Sequence, residues 1–427
     1  MTDISRADHA ALRELRASLA ARYDAFKARG LALDMTRGKP CPEQLDLALP
    51  VLDTVTSKDW AGEGDDYRNY GGLDGIPEAK RLFAPYMQCT EEELVVGGNA
   101  SLTFMHGILR NAMLHGMPGG STPWGRLPHV RFLCPSPGYD RHFTICEYFG
   151  IEMIPVPMDG NGPILEEVQR LAAHDEHVKG MWCVPKYSNP TGCTYSDAVV
   201  EGLASMATKA HDFRLLWDNA YAVHDLYDEG DRLANVLEAC RRAGHPDRAI
   251  LFGSTSKISF AGAGVALMAG SRANMDEAKK RLNTETIGPD KLNQLRHARY
   301  YRDLAGIEAH MRRHAAILRP KFEAVQEILG RELDGRGVAQ WTRPRGGYFV
   351  SVDLPDGCAK ATVKLAADAG VKLTGAGATY PYGKDPRDRN LRLAPSFPKE
   401  ADVRLAMELF AICVQIVAID QRLASNR

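Results

Sequence analysis

Short apolar runs recur along the chain at residues 94–96, 130–134, 153–156, 181–184, 215–217, 250–252 and 265–268. They lack the strict alternation of a strand with one wet face, so each reads as a strand buried on both faces of a sheet. Stretches with helical spacing, such as 101–114 and 197–210, lie between several of them. Strand and helix in alternation predict an α/β fold with a mostly parallel seven-stranded sheet flanked by helices. This large domain is expected over residues 51–303. From 304 to 333 the spacing is that of one long helix, with a kink expected at Pro320 because proline has no backbone donor. Farther on, Gly347-Tyr348-Phe349-Val350-Ser351-Val352, a helical stretch near 362–369 and Asn390-Leu391-Arg392-Leu393 suggest a smaller α+β unit. The inter-domain helix and this small domain are expected over 304–427, joined by an amino-terminal segment, 1–50. In that segment Leu12, Leu15, Leu19 and Tyr23 share one helical face.

Composition narrows the class. In 427 residues, 44% hydrophobic and 25% charged are ordinary values for a globular chain. A net charge of -1 gives no pull toward nucleic acid or an anionic membrane, so neither is expected as a partner. The nine cysteines are scattered and odd in number, without a C-x-x-C pair. That argues against a disulfide framework or a cysteine zinc site and for reduced thiols in a cytosol. The amino terminus lacks the apolar core of a signal peptide, and no run is long enough to span a membrane. A cytoplasmic location is expected.

Two strand ends carry the chemistry. Asp218 closes Arg214-Leu215-Leu216-Trp217-Asp218 and precedes Asn219-Ala220-Tyr221, while Lys257 follows Ala249-Ile250-Leu251-Phe252-Gly253 inside Ser254-Thr255-Ser256-Lys257. Open α/β sheets bind ligands at the carboxyl ends of their strands. A lysine able to form a Schiff base and an aspartate to hold a pyridinium nitrogen are the pair that pyridoxal 5'-phosphate requires. Gly97-Gly98-Asn99-Ala100-Ser101 also follows a strand and opens a helix, where Asn99 or Ser101 is expected as the cap and free N–H groups favour a phosphate. Tyr139, in Pro135-Ser136-Pro137-Gly138-Tyr139, is placed to stack on the pyridine face. Asn189, in Ser188-Asn189-Pro190-Thr191-Gly192, and Tyr221 can donate to the cofactor's phenolic oxygen. Ser254 and Ser256 are placed to bind phosphate. Each signal alone has an ordinary counterpart: a capped turn, a packed loop tyrosine, an Asn-Pro turn, a strand-end carboxylate, a solvated lysine. Their order along the chain separates them from it.

With these pieces in order, the sequence resembles the fold-type I pyridoxal-phosphate aminotransferases, in the class I group that contains aspartate aminotransferase. The resemblance runs from Arg37-Gly38-Lys39-Pro40 to Arg392 and is nearest to the MocR-like branch. It implies an amino-group transfer from an L-amino acid, aspartate or glutamate, to a 2-oxo acid through a Schiff base on Lys257. It implies a homodimer with shared active sites, in which Tyr70 reaches the phosphate of the partner's cofactor. Gly38 would lie over the substrate carboxylate, and Arg392 would clamp it with a planar guanidinium. A β-lyase on the same scaffold and a MocR-type ligand-sensing domain are the alternatives; residues 1–36 are too few for the winged helix-turn-helix module of the latter. One departure stands out: Ile258-Ser259-Phe260-Ala261-Gly262-Ala263-Gly264-Val265 lacks the arginine that often contacts the phosphate in that family. A side-chain carboxylate would need a second cation, for which Arg37, Lys39, Lys291 and Arg296 are candidates. His174-Asp175-Glu176-His177 and the His310, His314 pair lack zinc-site spacing, so no metal is expected and both read as solvated helix faces.

Overall fold

A computed structural model describes residues 2–63 and 65–425. Its central element is an eight-stranded sheet in the order Leu94–Val96, Ala266–Gly270, Ala249–Ser254, Arg214–Asp218, Val178–Cys183, Arg131–Ser136, Glu152–Asp159, Gly162–Pro163. The five strands from Ala249–Ser254 to Glu152–Asp159 run parallel, whereas Ala266–Gly270 is antiparallel to both its neighbours. The eighth strand, absent from the sequence reading, is a two-residue antiparallel edge that carries no apolar run of its own.

Alternate residues of each strand enter different cores, as the pleat requires. Leu215, Trp217, Ala249 and Leu251 pack into one hydrophobic cluster with the helices Pro77–Met87, Asp197–Ser205 and Lys291–Tyr301. Leu216, Ile250 and Phe252 pack into another with Ser101–His115 and Asp140–Tyr148. Burial on both faces explains why the strands read as continuous apolar runs. The helix expected over 197–210 stops at Ser205. There the buried Arg248 guanidinium donates to the carbonyls of Leu203, Ala204 and Met206 at 3.4, 2.8 and 2.7 Å, which caps the helix end.

A third cluster gathers the carboxy-terminal elements. The antiparallel strands Gln340–Trp341, Val350–Asp353 and Asn390–Leu393 pack with the helices Ala359–Asp368 and Glu400–Ser425. The amino-terminal helix His9–Lys27 joins this cluster through Leu12, Leu19 and Tyr23, whose hydroxyl donates to the Leu365 carbonyl at 3.0 Å. Leu33–Asp34 adds a parallel pairing with Val371–Lys372. The helix Leu304–Leu333 is continuous through Pro320. The carbonyl that proline leaves without a donor belongs to Ala316, an exposed residue where water can take the bond.

Candidate active site

Parallel register sets the site. Asp218 pairs with Phe252 on the neighbouring strand, so the Asp218 carboxylate and the turn after Ser254 emerge side by side at the carboxyl edge of the sheet. They border a cavity of about 600 Å³ between the sheet edge and the carboxy-terminal unit. Five cations (Arg37, Lys39, Arg141, Lys257 and Arg392) and two carboxylates (Asp140 and Asp218) line it, an excess of positive charge in a nearly neutral chain.

The Asp218 carboxylate is buried and half-satisfied. His142 Nε2 lies 3.0 Å from Oδ2, and the His142 ring is stacked on Trp182 with centroids 4.2 Å apart and planes 6° from parallel. Oδ1 is buried without a partner among the described residues. A buried carboxylate with an open oxygen is costly unless a donor arrives. Lys257 is half-buried, with Nζ 5.0 Å from the centre of the Tyr221 ring. Burial pushes its pKa down, partly offset by the Asp218 charge. Burial likewise holds the Tyr221 hydroxyl well above its usual range.

The expected cap of the Ser101–His115 helix does not form: Ala100 is the N-cap residue and no side chain bonds the first turn. The Thr103 N–H donates to the Ala100 carbonyl at 3.1 Å, and Asn99 is exposed, outside the cavity wall, with its carbonyl accepting from Ser256 Oγ at 3.3 Å. Ala100, Ser101, Ser254 and Ser256 line the wall at this end. Gly97 serves packing rather than ligand approach, since a Cβ there would lie 2.8 Å from Phe104 Cε2.

At the opposite end, Arg392 reaches in from its strand. Nη1 donates to Asn189 Oδ1 at 3.1 Å and to Asp140 Oδ1 at 3.2 Å, and the guanidinium lies 4.9 Å from the Phe349 ring centre. Arg392 Nε is buried without an acceptor among the described residues. The bond at Asn189 Oδ1 turns the amide NH2 of Asn189 away from the guanidinium. Gly38 also meets the Phe349 ring, so closely that a Cβ would lie 2.6 Å from Cε1. Tyr139 lines the wall and meets the His142 ring edge-to-face at 5.0 Å.

Of the residues singled out from the sequence, the cavity collects Gly38, Ala100, Ser101, Tyr139, Asn189, Asp218, Tyr221, Ser254, Ser256, Lys257 and Arg392. Tyr70 lies outside it, 79% exposed on a separate surface hollow. Lys291 is unavailable as a substrate cation: it is buried, and its ammonium donates to the carbonyls of Asn69 and Gly71, the latter at 2.9 Å. Arg296 does not reach the cavity. His142, Asp140, Arg141 and Phe349 were missed. The histidine stands one helical turn beyond Tyr139, a spacing that offered a signal. His310 and His314, expected on a solvated face, are buried at 4% and 1% exposure because they share the inward stripe of their helix with Ile307, Met311 and Leu318. Among the described residues no group of histidine, cysteine and carboxylate side chains forms a metal-binding cluster.

An anionic group with a protonated ring nitrogen suits this cavity. The unpartnered Asp218 Oδ1, the uncapped helix start and the cationic lining are its counterparts.

Residues 7–426 match the family model described as aspartate amino-transferase. An aspartate aminotransferase of Corynebacterium glutamicum is 45% identical over 400 residues, which are 93% of this chain and 92% of that protein. The crystal structure of an aspartate transaminase from the same species superposes with a TM-score of 0.96 at 43% identity, covering 98% of this chain and 99% of the other. LysN, the alpha-aminoadipate aminotransferase of Thermus thermophilus, solved with N-(5'-phosphopyridoxyl)-L-leucine, shares the fold at 20% identity with a TM-score of 0.73 over 96% of this chain and 98% of that one.

Proposed function

We propose, since the chain belongs to the aspartate amino-transferase family, that it is a pyridoxal 5'-phosphate-dependent aminotransferase moving the amino group of L-aspartate or L-glutamate to a 2-oxo acid. The observation that carries the reading is the pairing of an open Asp218 oxygen with an amine, Lys257, that no acceptor holds among the described residues. When bound, the cofactor supplies an aldehyde carbon that amines attack and a protonated ring that takes up electron density.

The chain's own residues divide that work. The N–H groups of Ala100 and Ser101 at the helix start, with the Ser254 and Ser256 hydroxyls, would hold the phosphate. This uses backbone, hydroxyls and helix dipole in place of the arginine absent after Lys257. Asn99 fixes the loop by accepting from Ser256. Tyr139, in the cavity wall, would cover one ring face. Asp218, steadied by His142, has a free oxygen that would accept from the ring N–H. The Asn189 amide and Tyr221 hydroxyl would donate to the phenolic oxygen.

Arg392 spends Nη1 on Asn189 and Asp140, which leaves Nε and Nη2 as a two-pronged edge for the substrate α-carboxylate beside Gly38. This grip fixes which bond at the substrate carbon is labile and favours retention of the carboxylate. Lys257 moves the proton at the substrate carbon, and its lowered pKa keeps a larger neutral fraction for that purpose. For the second carboxylate of the substrate, Arg37, Lys39 and Arg141 are cavity cations without an ion-pair partner among the described residues.

We further assign the protein to the cytoplasm as a homodimer with shared sites. Its described helices include none long and apolar enough to cross a membrane, and its cysteines are free. Tyr70 and Ile287, 79% and 63% exposed, border one hollow that a second copy would cover, bringing Tyr70 to the other protomer's phosphate.

The test is one half-reaction. Protein loaded with pyridoxal 5'-phosphate and mixed with L-aspartate alone should lose its visible cofactor band and release one equivalent of oxaloacetate, and Lys257→Ala should do neither. Release by Lys257→Ala at the rate of the unmodified protein would sink the assignment.

A further inference from the structure

The two histidines that fit neither a metal site nor a solvated face lie behind Lys257. His310 Nε2 is 2.9 Å from the carbonyl of Ile258, the residue after Lys257, and 3.0 Å from His314 Nε2. His314 Nδ1 is 3.0 Å from Gln44 Nε2. Gln44 is fully buried in the short helix Pro42–Asp46, directly after residues 36–39, which line the active-site cavity. A continuous buried chain thus links the segment over the cavity to the lysine turn.

Counting protons along this chain shows a conflict. The Gln44 orientation is fixed, because its Oε1 accepts from the Cys41 N–H at 3.1 Å. Its NH2 therefore donates to the Tyr348 hydroxyl at 3.0 Å and to His314 Nδ1. His314 must then carry its proton on Nε2 and donate to His310 Nε2. That makes His310 Nε2 an acceptor, yet it also faces the Ile258 carbonyl, itself an acceptor. His310 Nδ1, which would hold the proton, is buried without a partner among the described residues. Burial pushes His314 down to about 3 and lowers His310, so near neutral pH each ring has a single proton and no further proton resolves the conflict. Two patterns exclude each other. With Gln44 on His314, the Ile258 carbonyl loses His310 as its donor and keeps only the weaker approach of the His314 ring; with Gln44 withdrawn, His314 can move its proton to Nδ1, and His310 Nε2–H can bond Ile258.

We propose that Gln44 sets the tautomer of His314 and, through His310, decides whether the Lys257 turn is held at the Ile258 carbonyl or released. His310 and His314 are thereby positioning residues for Lys257, coupled to the segment that covers the cavity. This inference does not depend on which amino acid the cavity accepts, and its test uses no turnover.

Two variants separate the patterns. Gln44→Leu removes the donor, and Gln44→Glu keeps the shape but offers only acceptors, so both should shift the His314 proton to Nδ1 and the His310 proton to Nε2. Ring-¹⁵N-labelled histidine in the purified full-length protein reads each tautomer directly by NMR. Hydrogen exchange over residues 255–260 should slow about fivefold in Gln44→Leu, the worth of one restored hydrogen bond. Exchange in Arg214–Asp218 should stay unchanged, which keeps the effect local. Unchanged tautomers in both variants would overturn the proposal. So would shifted tautomers with no slowing over 255–260, because the hold on Lys257 would then be absent.

Discussion

Gly38→Ala tests whether the carboxylate grip depends on one aromatic ring. The added Cβ would lie 2.6 Å from Phe349 Cε1, against about 3.5–4.0 Å for carbon atoms in contact, so the ring must retreat by roughly 1 Å. Phe349 is 5% exposed and has Arg392 on its face at 4.9 Å, so it cannot move without carrying the guanidinium. Arg392 is tied in turn to Asn189 and Asp140 at 3.1 and 3.2 Å, bonds that weaken steeply over that displacement. Overpacking of this kind costs about 1–3 kcal/mol of stability. A misplacement near 1 Å in a positioning group costs about 100-fold in rate. Steady-state kinetics with L-aspartate should therefore show kcat/KM down about 100-fold, with a lowered urea midpoint. Gly38→Ala combined with Phe349→Leu removes the struck ring atoms and should recover the midpoint. The KM for the amino acid should stay raised, because the cation–π contact, worth about 0.5–2 kcal/mol, is gone. Unchanged kcat/KM in Gly38→Ala, or a combined variant no more stable than the single one, would refute this account.

Further outcomes can be checked in the same material. Arg141→Gln should raise KM for aspartate at least tenfold while sparing an amino acid without a side-chain carboxylate; equal effects on both would remove Arg141 from that role. Asp218→Asn should weaken retention of pyridoxal 5'-phosphate on dialysis and lower kcat by orders of magnitude, and full retention with normal kcat would show that the carboxylate charge is not used. Mixing Lys257→Ala with Tyr70→Phe protein under subunit exchange should restore about a quarter of normal activity if the sites are shared across a two-fold dimer, and none if each protomer is self-sufficient. The buried His297 is held down to about 4 by burial, so between 6.5 and 4 the unfolded chain binds a proton that the folded chain does not. Its share of stability, about 3 kcal/mol, is present above pH 6.5 and is lost as pH falls through that window. Urea titrations should show a shallower loss for His297→Asn, and parallel curves would contradict the assignment.

The sheet and the juxtaposition of Asp218 with the Lys257 turn were legible because each depends on neighbours in the chain. Asp218 and Lys257 follow uninterrupted apolar runs, and parallel pairing of those runs is enough to bring them together. What the sequence hid depends on partners far away along it. His142, on a helix, gains its meaning from Trp182, stacked on it from a sheet strand, and Phe349 from a glycine and an arginine that reach it from opposite ends of the chain. The edge strand Gly162–Pro163 has no apolar signal to find.

The histidine pair is a different kind of miss. Its polarity suggested solvent, but positions 307, 310, 311, 314, 315 and 318 form one helical stripe, and every residue on that stripe is buried. Periodicity therefore outranked residue type there, and the two polar rings on an apolar stripe were the feature calling for a cause. That cause lies 270 residues away at Gln44, in a contact no local pattern can announce. A lysine at a strand end can be recognised from a dozen residues, whereas the device that steadies it requires the folded chain. Gln44 and the cavity-covering residues 36–39 share one short segment, so a ligand that shifts this segment also acts on the proton arrangement behind Lys257.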